Sequence, residues 1–535
     1  MTLDAIIIAS AGKNSFSGTS IFRLDINGYV ADIQTVTNFI EHNGEIEPPI
    51  QGQGRMSWAA APKLNGIYLY SYLNSQGFTV AIIDSFYDQL DLFKQFVQEK
   101  PSTVIISTTF ITNLKALNVL VEDVRCIASQ TKVIVGGPFV YMSYLVYQRS
   151  QEAGYLPDEA KKDFLFLSSE KAPAADLFIV SAGGVNILCK AIQQLKRHGE
   201  FGYLTNTAIL TNGLWSFSEI DSTTLKSKHI IQWDDIPDDI FHAGVIPLNA
   251  SSGCPYNCAF CNFVKDRRAA TIKPIDTLIN EIKQICNRNA KYIWFIDDNF
   301  RLGSRDLEAV CRRFIKEDFG LQWMTFIRAD VLDRIDPDLL RKAGCIEVQL
   351  GIESADNQVL RNMNKHVMPE LYERVLNKLL SNGINCSCYI IFGFPGETEK
   401  SARRTIEFML RQESSGHTGL LTWSIFPFVL APLSPIYEKA SRNTYGLNGY
   451  MKHWSHATMD SNRAKEHVTR AFLEIKNSGL IYRSDNQDMM KSLNPCLRKT
   501  FQSMRHSLSK MKLQSEITKE DILSKFKNNC FCKIP

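Results

Sequence analysis

Three cysteines, Cys254, Cys258 and Cys261, stand in the stretch Ser251-Ser-Gly-Cys-Pro-Tyr-Asn-Cys-Ala-Phe-Cys261, separated by three and then two residues. Thiols this close can converge on one metal centre without help from distant segments. Thiolates are soft ligands that suit zinc or iron–sulfur clusters. A structural zinc site wants four closed positions, and no fourth cysteine stands nearby. Three local ligands leave one position open, and a four-iron cubane with one free iron can bind a small molecule there. The bland alternative, three core cysteines adjacent by chance, fits this spacing poorly.

Further chemistry-bearing residues sit where apolar runs end. Asp298, Arg328 and Glu353 close three such runs, and residues of these types are rarely buried unless paired. A zwitterionic ligand with a ribose offers suitable partners. Gly393-Phe-Pro-Gly-Glu397 closes a fourth run, and His453-Trp-Ser-His456 sets two imidazoles around a tryptophan. Imidazoles so placed could give protons to a substrate or orient it; packing of Trp454 with exposed histidines is the other reading.

The elements that must position these residues repeat in a regular way. Ile246–Ala250 reads as a strand with the cysteine loop at its carboxyl end, where βα barrels keep their chemistry. Strands are expected at Tyr292–Asp298, Leu321–Ile327, Cys345–Gly351, Cys386–Phe392 and Leu421–Val429, with helices between them. Six βα units are two short of a closed barrel, so an open barrel is expected over residues 244–438. Ahead of it, residues 1–201 alternate strands (4–10, 78–84, 103–107, 132–137, 175–181) with helices, as a doubly wound parallel sheet does. Ligands then belong beyond the carboxyl ends, at Ser107, Thr108, Gly136, Gly137, Gly183 and Gly184. Small residues there let a bulky planar ligand lie against the backbone, and hydroxyls can bond its rim. Residues 202–243 read as a linker that ends in the acidic, proline-containing run Asp234–Asp239, and residues 439–535 read as a helical C-terminal domain.

Composition sets outer limits. The 535 residues are 44% apolar and 22% charged with net charge +4, as in an ordinary globular protein. Residues 491–535 hold ten Lys/Arg against three Asp/Glu, read as a solvated helical tail rather than a nucleic-acid surface. The thirteen cysteines show no disulfide framework, which points to a reducing cytoplasm. The first residues lack the pattern of a signal peptide, and no apolar stretch is long enough to span a membrane. Cys530-Phe-Cys532 falls short of a second cluster set, and the remaining cysteines read as core residues.

Cys-x3-Cys-x2-Cys with Phe260 just before the last cysteine resembles the signature of radical S-adenosylmethionine (SAM) enzymes, and the Ser-Ser-Gly and Pro-Tyr-Asn flanks resemble the subgroup with a cobalamin-binding domain in front. The resemblance implies a Rossmann-like cobalamin domain, a partial (β/α)6 barrel and a mainly helical C-terminal region. It also implies a [4Fe-4S] cluster on Cys254, Cys258 and Cys261 whose open iron chelates SAM, with Phe260 beside the cluster. Glu353, Arg328 and Asp298 resemble SAM contacts, and Gly393 to Glu397 resembles the fifth-strand motif beside the adenine. Pro432-Leu-Ser-Pro-Ile-Tyr437 loosely resembles the turn after the sixth strand in cobalamin-type members, and His453–Met459 resembles a stretch of phosphinate P-methylases. Tyr437, His453 and His456 are therefore the catalytic candidates.

Many cobalamin domains carry Asp-x-His-x-x-Gly after their first strand, but Ser10–Gly18 has no histidine and none occurs between His42 and His198. Cobalamin without a histidine lower ligand is expected. The implied activity is methylation of an unactivated carbon or a phosphinate phosphorus in a small-molecule or peptide substrate, with flavodoxin or ferredoxin as electron donor. The alternatives are rearrangement or cyclisation with the same cofactors, and a non-catalytic cobalamin- or ligand-sensing protein. A tRNA methylthiotransferase fits less well, because residues 1–240 offer only Cys126 and Cys189 toward a second cluster.

Overall fold

A computed structural model describes residues 3–12, 22–50, 54–167, 172–221, 229–262, 270–301, 303–413 and 416–527. Cys530, Cys532 and most of the loop 10–18 lie outside the described residues. The chain forms two compact units, Met1–Ser17 with Pro62–Pro237, and Gly18–Ala61 with Asp238–Pro535. Residues 18–61 thus belong to the second unit, whereas the sequence division assigned them to the first domain.

The first unit is built on β1 (Ala5–Ile8), β2 (Val80–Ile83), β3 (Thr103–Ser107), β4 (Lys132–Gly136) and β5 (Leu177–Ile179), parallel and in the order β2-β1-β3-β4-β5. β1 and β3 are buried along their whole length, as strands covered on both faces must be. Connecting helices include Leu64–Ser75, Leu114–Ile127, Pro138–Arg149 and Val185–His198. Asn113 caps the second of these by accepting from the Ala116 N–H at 2.9 Å. Strand order reverses between β1 and β3, which makes the carboxyl ends of those two strands the switch point where such sheets bind ligands. β6 (Thr207–Thr211) and β7 (Leu214–Phe217) extend the sheet as an antiparallel hairpin in a stretch that the sequence reads as linker.

The second unit carries β8 (Val245–Leu248), β9 (Tyr292–Phe295), β10 (Gln322–Phe326), β11 (Cys345–Glu353), β12 (Asn385–Phe392) and β13 (Leu421–Pro427), the six expected strands, all parallel and in sequence order. A two-residue strand, β14 (Gly479–Leu480), adds to the β13 edge. Between the barrel and the helices Ser461–Glu474 and Pro495–Gln514, a three-stranded antiparallel meander (Asn448–Tyr450, His453–His456, Met459–Asp460) interrupts the expected helical run. Residues 22–50 pack on the C-terminal helices: Leu24, Val36 and Phe39 share one apolar cluster with Phe501, Leu508 and Phe526. Among the described residues no helix is long and apolar enough to cross a membrane.

Candidate active site

The cysteine loop leaves the carboxyl end of β8 and is pinned at several points. The carboxylate of Asp297, fully buried, accepts from the backbone N–H groups of Ala250 and Ser251. Burial pushes that carboxyl up to about 6. Asp298 Oδ2 accepts from Gly253 N–H at 3.0 Å. Farther along, Ala259 donates to the Met363 carbonyl and accepts from Ile436 N–H, each at 2.9 Å, and Asn364 Nδ2 donates to the Asn257 carbonyl at 2.8 Å. Two strand ends and two later turns therefore fix the backbone that carries the thiols. Asp298, a cofactor contact by resemblance, uses one oxygen as a brace of this loop.

A second wall comes from β10, β11 and the helix Pro369–Ser381. Arg328 lies 3.6 Å from the ring centroid of Tyr256, donates from Nε to Asp330 at 2.9 Å and from Nη2 to the Lys365 carbonyl at 3.1 Å. Its guanidinium face thus meets the cysteine loop, while Nε and Nη2 bond Asp330 and the Lys365 carbonyl. Glu353 sits at φ +66° at the end of β11, buried, with Lys365 Nζ 3.3 Å from Oε1 and 2.8 Å from the Gly351 carbonyl. Burial pushes the Glu353 carboxyl up while Lys365 pulls it down. Lys365 stays well above the ordinary lysine value despite burial, held there by Tyr372, Glu353 and Cys258. Sequence reasoning missed Lys365, because a lysine in a polar turn reads as surface.

A third wall is the turn after β12. Gly393 has φ +89°, and a Cβ there would come within 2.5 Å of Trp454 and of Ala464. Its N–H donates to Glu397 Oε2. Glu397 is fully buried, Oε1 has no hydrogen-bond partner, and burial raises its carboxyl to about 8. Asn299, after β9, is 1% exposed with both amide atoms unpartnered. Nothing in the sequence marks it beyond its place behind two carboxylates. Phe260 meets Phe394 edge-on at 6.5 Å, Phe394 meets Phe428 at 5.1 Å, and Phe428 meets Trp454 at 5.3 Å. This aromatic chain links the cysteine loop to the C-terminal meander.

The histidine pair does not act together. His453 and His456 are three apart in a strand, an odd separation that puts them on opposite faces: His453 is exposed and His456 buried. His456 Nε2 lies 3.1 Å from the Gly393 carbonyl and can only donate to it, which leaves Nδ1 to accept from Thr458 N–H at 3.3 Å, the Thr458 hydroxyl donating instead to the Glu397 carbonyl. Burial lowers its basicity. His456 therefore supports the Gly393 turn. Tyr437 is 1% exposed, with the Arg442 guanidinium 5.0 Å from its ring.

The donor set fits the implied groups. Cys254, Cys258 and Cys261 are half-buried, and soft thiolates on a braced loop suit an iron–sulfur cluster with an open corner. Burial holds the Cys254 thiol up, while the Tyr256 N–H and Arg328 favour its thiolate. Glu397 Oε1 and the Asn299 amide are buried polar atoms without protein partners, which native interiors rarely leave unmet; a polar ligand at the barrel mouth would meet them.

In the first unit, Asn65 spans the switch point, donating to the Ala9 carbonyl at 2.9 Å and to Ser107 Oγ at 2.8 Å. Its Oδ1 is buried without a partner, which suits an amide-rimmed ligand. Asn65 was not read from the sequence. Thr108 donates to the Gly136 carbonyl through N–H and Oγ1 at 2.8 and 2.9 Å. Gly137, at φ +107°, leaves room for Thr108, and a Cβ on Gly184 would strike Ile179 at 2.6 Å. Gly183 N–H donates to Ser181 Oγ at 3.1 Å. Thr108 and Gly184 thus shape the sheet's rim by internal packing.

The chain thus sets a Rossmann-like unit ahead of an open parallel barrel whose carboxyl end carries a three-cysteine loop. Residues 248–409 match the Radical SAM superfamily and residues 61–154 match the B12 binding domain; the chain thus carries a radical SAM domain with a B12-binding domain in front. Those domains imply a [4Fe-4S] cluster, SAM and cobalamin. The chain is similar to an uncharacterized methyltransferase of Pyrococcus horikoshii, 27% identical over 34% of this chain and 40% of that one. It is also similar to the anaerobic magnesium-protoporphyrin IX monomethyl ester cyclase of Rubrivivax gelatinosus, 24% identical over 74% of this chain and 68% of that one. The match thus spans well under half of the first relative's length. In fold, the chain resembles the cobalamin-dependent SAM radical enzyme OxsB (TM-score 0.57, 14% identity, 98% of this chain and 75% of that one). It also resembles the radical SAM methyltransferase TsrM from Kitasatospora setae (TM-score 0.54, 13% identity, 82% and 74%).

Proposed function

We propose that this chain is a cobalamin-dependent radical SAM methyltransferase acting on an unactivated carbon, or a phosphinate phosphorus, of a small-molecule or peptide intermediate. The observation that carries the reading is the cysteine loop braced by Asp297, Asp298 and Met363 at a barrel mouth, in a chain that also holds a B12-binding domain. When bound, the cluster supplies the electron that cleaves SAM to a 5′-deoxyadenosyl radical, and cobalamin supplies the methyl group.

In this reading Cys254, Cys258 and Cys261 would hold the cluster, and Arg328 keeps Tyr256 and the loop in place. Glu353, set by Lys365, would meet the polar end of SAM. Glu397, protonated at neutral pH by burial, donates from Oε1, and Asn299 offers one donor and one acceptor. Phe260, Phe394 and Phe428 exclude water from that wall. Asn65, with Ser107 and Gly136–Gly137, borders the corrin site. Flavodoxin or ferredoxin in the cytoplasm would supply the electron.

The Rubrivivax gelatinosus cyclase, matched over 74% of this chain, favours a second reading in which the same cofactors drive cyclisation without methyl transfer. Anaerobic reconstitution with iron, sulfide and hydroxocobalamin, followed by reaction with methyl-labelled SAM, separates the readings. A product heavier by one labelled methyl supports methyl transfer. An unlabelled product of altered hydrogen count supports the cyclase reading, and absence of 5′-deoxyadenosine would leave only a sensing role.

A further inference from the structure

The C-terminal basic segment is not merely a solvated tail. On the helix Pro495–Gln514, Lys499, Ser503, Ser507 and Lys510 recur at steps of four, four and three and so share one face. Asn494 caps this helix, accepting from Leu497 N–H at 3.0 Å, and Pro495 opens it. That face borders a cavity of about 660 Å³ closed on its other side by Gly419, Leu421 and the turn Lys476–Ser478. These residues stand at the amino ends of β13 and β14. In a parallel barrel that is the end opposite the cysteine loop.

The charge of this cavity is unbalanced. Lys476, Lys499, Lys510 and Lys525 line it, and among the described lining residues the one carboxylate is Glu413. Glu413 already accepts from the backbone N–H groups of Lys476 and Ser478 and from Ser478 Oγ. Lys499 Nζ donates to the His417 carbonyl and Lys510 Nζ to the Ile475 carbonyl. Each ammonium is thus steered by a neutral oxygen and keeps two further donors. Burial lowers both lysines, and burial together with the Lys510 charge lowers His506 to about 4. Ser507 adds a hydroxyl to the same wall, whereas Thr500 and Ser503 donate theirs to the Cys496 and Lys476 carbonyls, each at 3.0 Å.

We propose that this lysine-lined cavity at the amino ends of β13 and β14 binds a phosphate-bearing small ligand. Four lysines lining a space of this size, with one carboxylate already occupied among them, suit the multiple oxygens of a phosphate or pyrophosphate group. The volume lies in the range of small-molecule pockets, well beyond a single ion. The site is separate from the proposed methyl-transfer chemistry, so neither reading depends on the other.

The test is calorimetric titration of the full-length protein with pyrophosphate, ADP and citrate at equal, low ionic strength. Saturable one-to-one binding of pyrophosphate or ADP is expected, weakened about tenfold by Lys499→Gln and again by Lys510→Gln. Ser503→Asp, which sets a carboxylate on the same helix face, should weaken binding as well, with circular dichroism checking that each variant folds. Saturable binding of neither pyrophosphate nor ADP would overturn the proposal. So would equal affinity for citrate, or binding indifferent to all three substitutions.

Discussion

The guanidinium of Arg328 lies 3.6 Å from the ring centroid of Tyr256, and Tyr256 stands between Cys254 and Cys258. Arg328 is itself fixed by Asp330 and by the Lys365 carbonyl, and Lys365 is fixed by Glu353 and Gly351. The middle of the cysteine loop is therefore tied through one arginine to the ends of β10 and β11. A cation over an aromatic face gains about 0.5–2 kcal/mol depending on burial, which is enough to favour one loop conformation over its alternatives.

Arg328→Ala should leave secondary structure intact and lower the iron and sulfide bound after reconstitution, with SAM cleavage reduced about tenfold or more. Arg328→Lys keeps the charge but not the planar stack or the paired bonds to Asp330, and should fall between. Iron analysis of the two variants beside the unmodified protein checks this.

Gly393→Ala places a Cβ within 2.5 Å of Trp454 and Ala464 at a φ of +89°. Strain and overpacking together should cost about 2–4 kcal/mol. Thermal unfolding of the variant should show a clear drop in Tm, and any protein that does fold should bind SAM weakly because the Glu397 turn has moved. An unchanged Tm would mean that the turn is not held by the meander.

Asp32 caps the helix Ile33–Glu41 by accepting from Thr35 N–H at 3.0 Å, and burial plus the nearby Asp485 raise its carboxyl to about 7. The folded state then holds a proton that the unfolded chain releases at its ordinary carboxyl value, 3.8. Stability contributed by this group is full below that value and is lost as pH rises toward about 7. Asp32→Asn keeps the cap and removes the titration. Its stability relative to the unmodified protein should rise between the two values, by a few kcal/mol at most, as followed by urea unfolding across pH.

How much of this was legible in the chain depends on range. The six barrel strands could be read because they are mostly buried, largely apolar runs spaced by helices, and three of them end in polar residues, as in Phe295 to Asp298. The place of residues 22–50 could not be read: Leu24 N–H finds Tyr482 Oη, and Ile33 N–H finds Asp485, each at 2.9 Å across more than four hundred residues. Local pattern carries no trace of such a partner. The meander 448–460 was hidden because its strands are two to four residues long, too short for alternation to stand out. Asn65, Asn299 and Lys365 escaped notice because a polar residue at a turn or helix start ordinarily faces water; only the packed structure reveals that theirs is buried or pinned.

Cobalamin bound to the full-length protein should give, in its reduced Co(II) form, a paramagnetic resonance spectrum without nitrogen superhyperfine splitting from a histidine. The first unit holds two histidines: His198, exposed at the end of the helix Val185–His198, whose Lys196 pairs with Asp4 at the amino end of β1, and His229, committed to Ser71 Oγ at 2.9 Å and to the rings of Tyr68 and Tyr72. A resolved nitrogen triplet from a protein ligand would contradict this.

The central claim is that Cys254, Cys258 and Cys261 hold a cluster that opens SAM. Its most direct test is 5′-deoxyadenosine formation by anaerobically reconstituted, reduced protein, compared with Cys258→Ala. The unmodified protein should hold about four irons in the cluster and release 5′-deoxyadenosine from SAM, and the variant should do neither. SAM cleavage that survives in Cys258→Ala, or protein that takes up no four-iron centre, would contradict it.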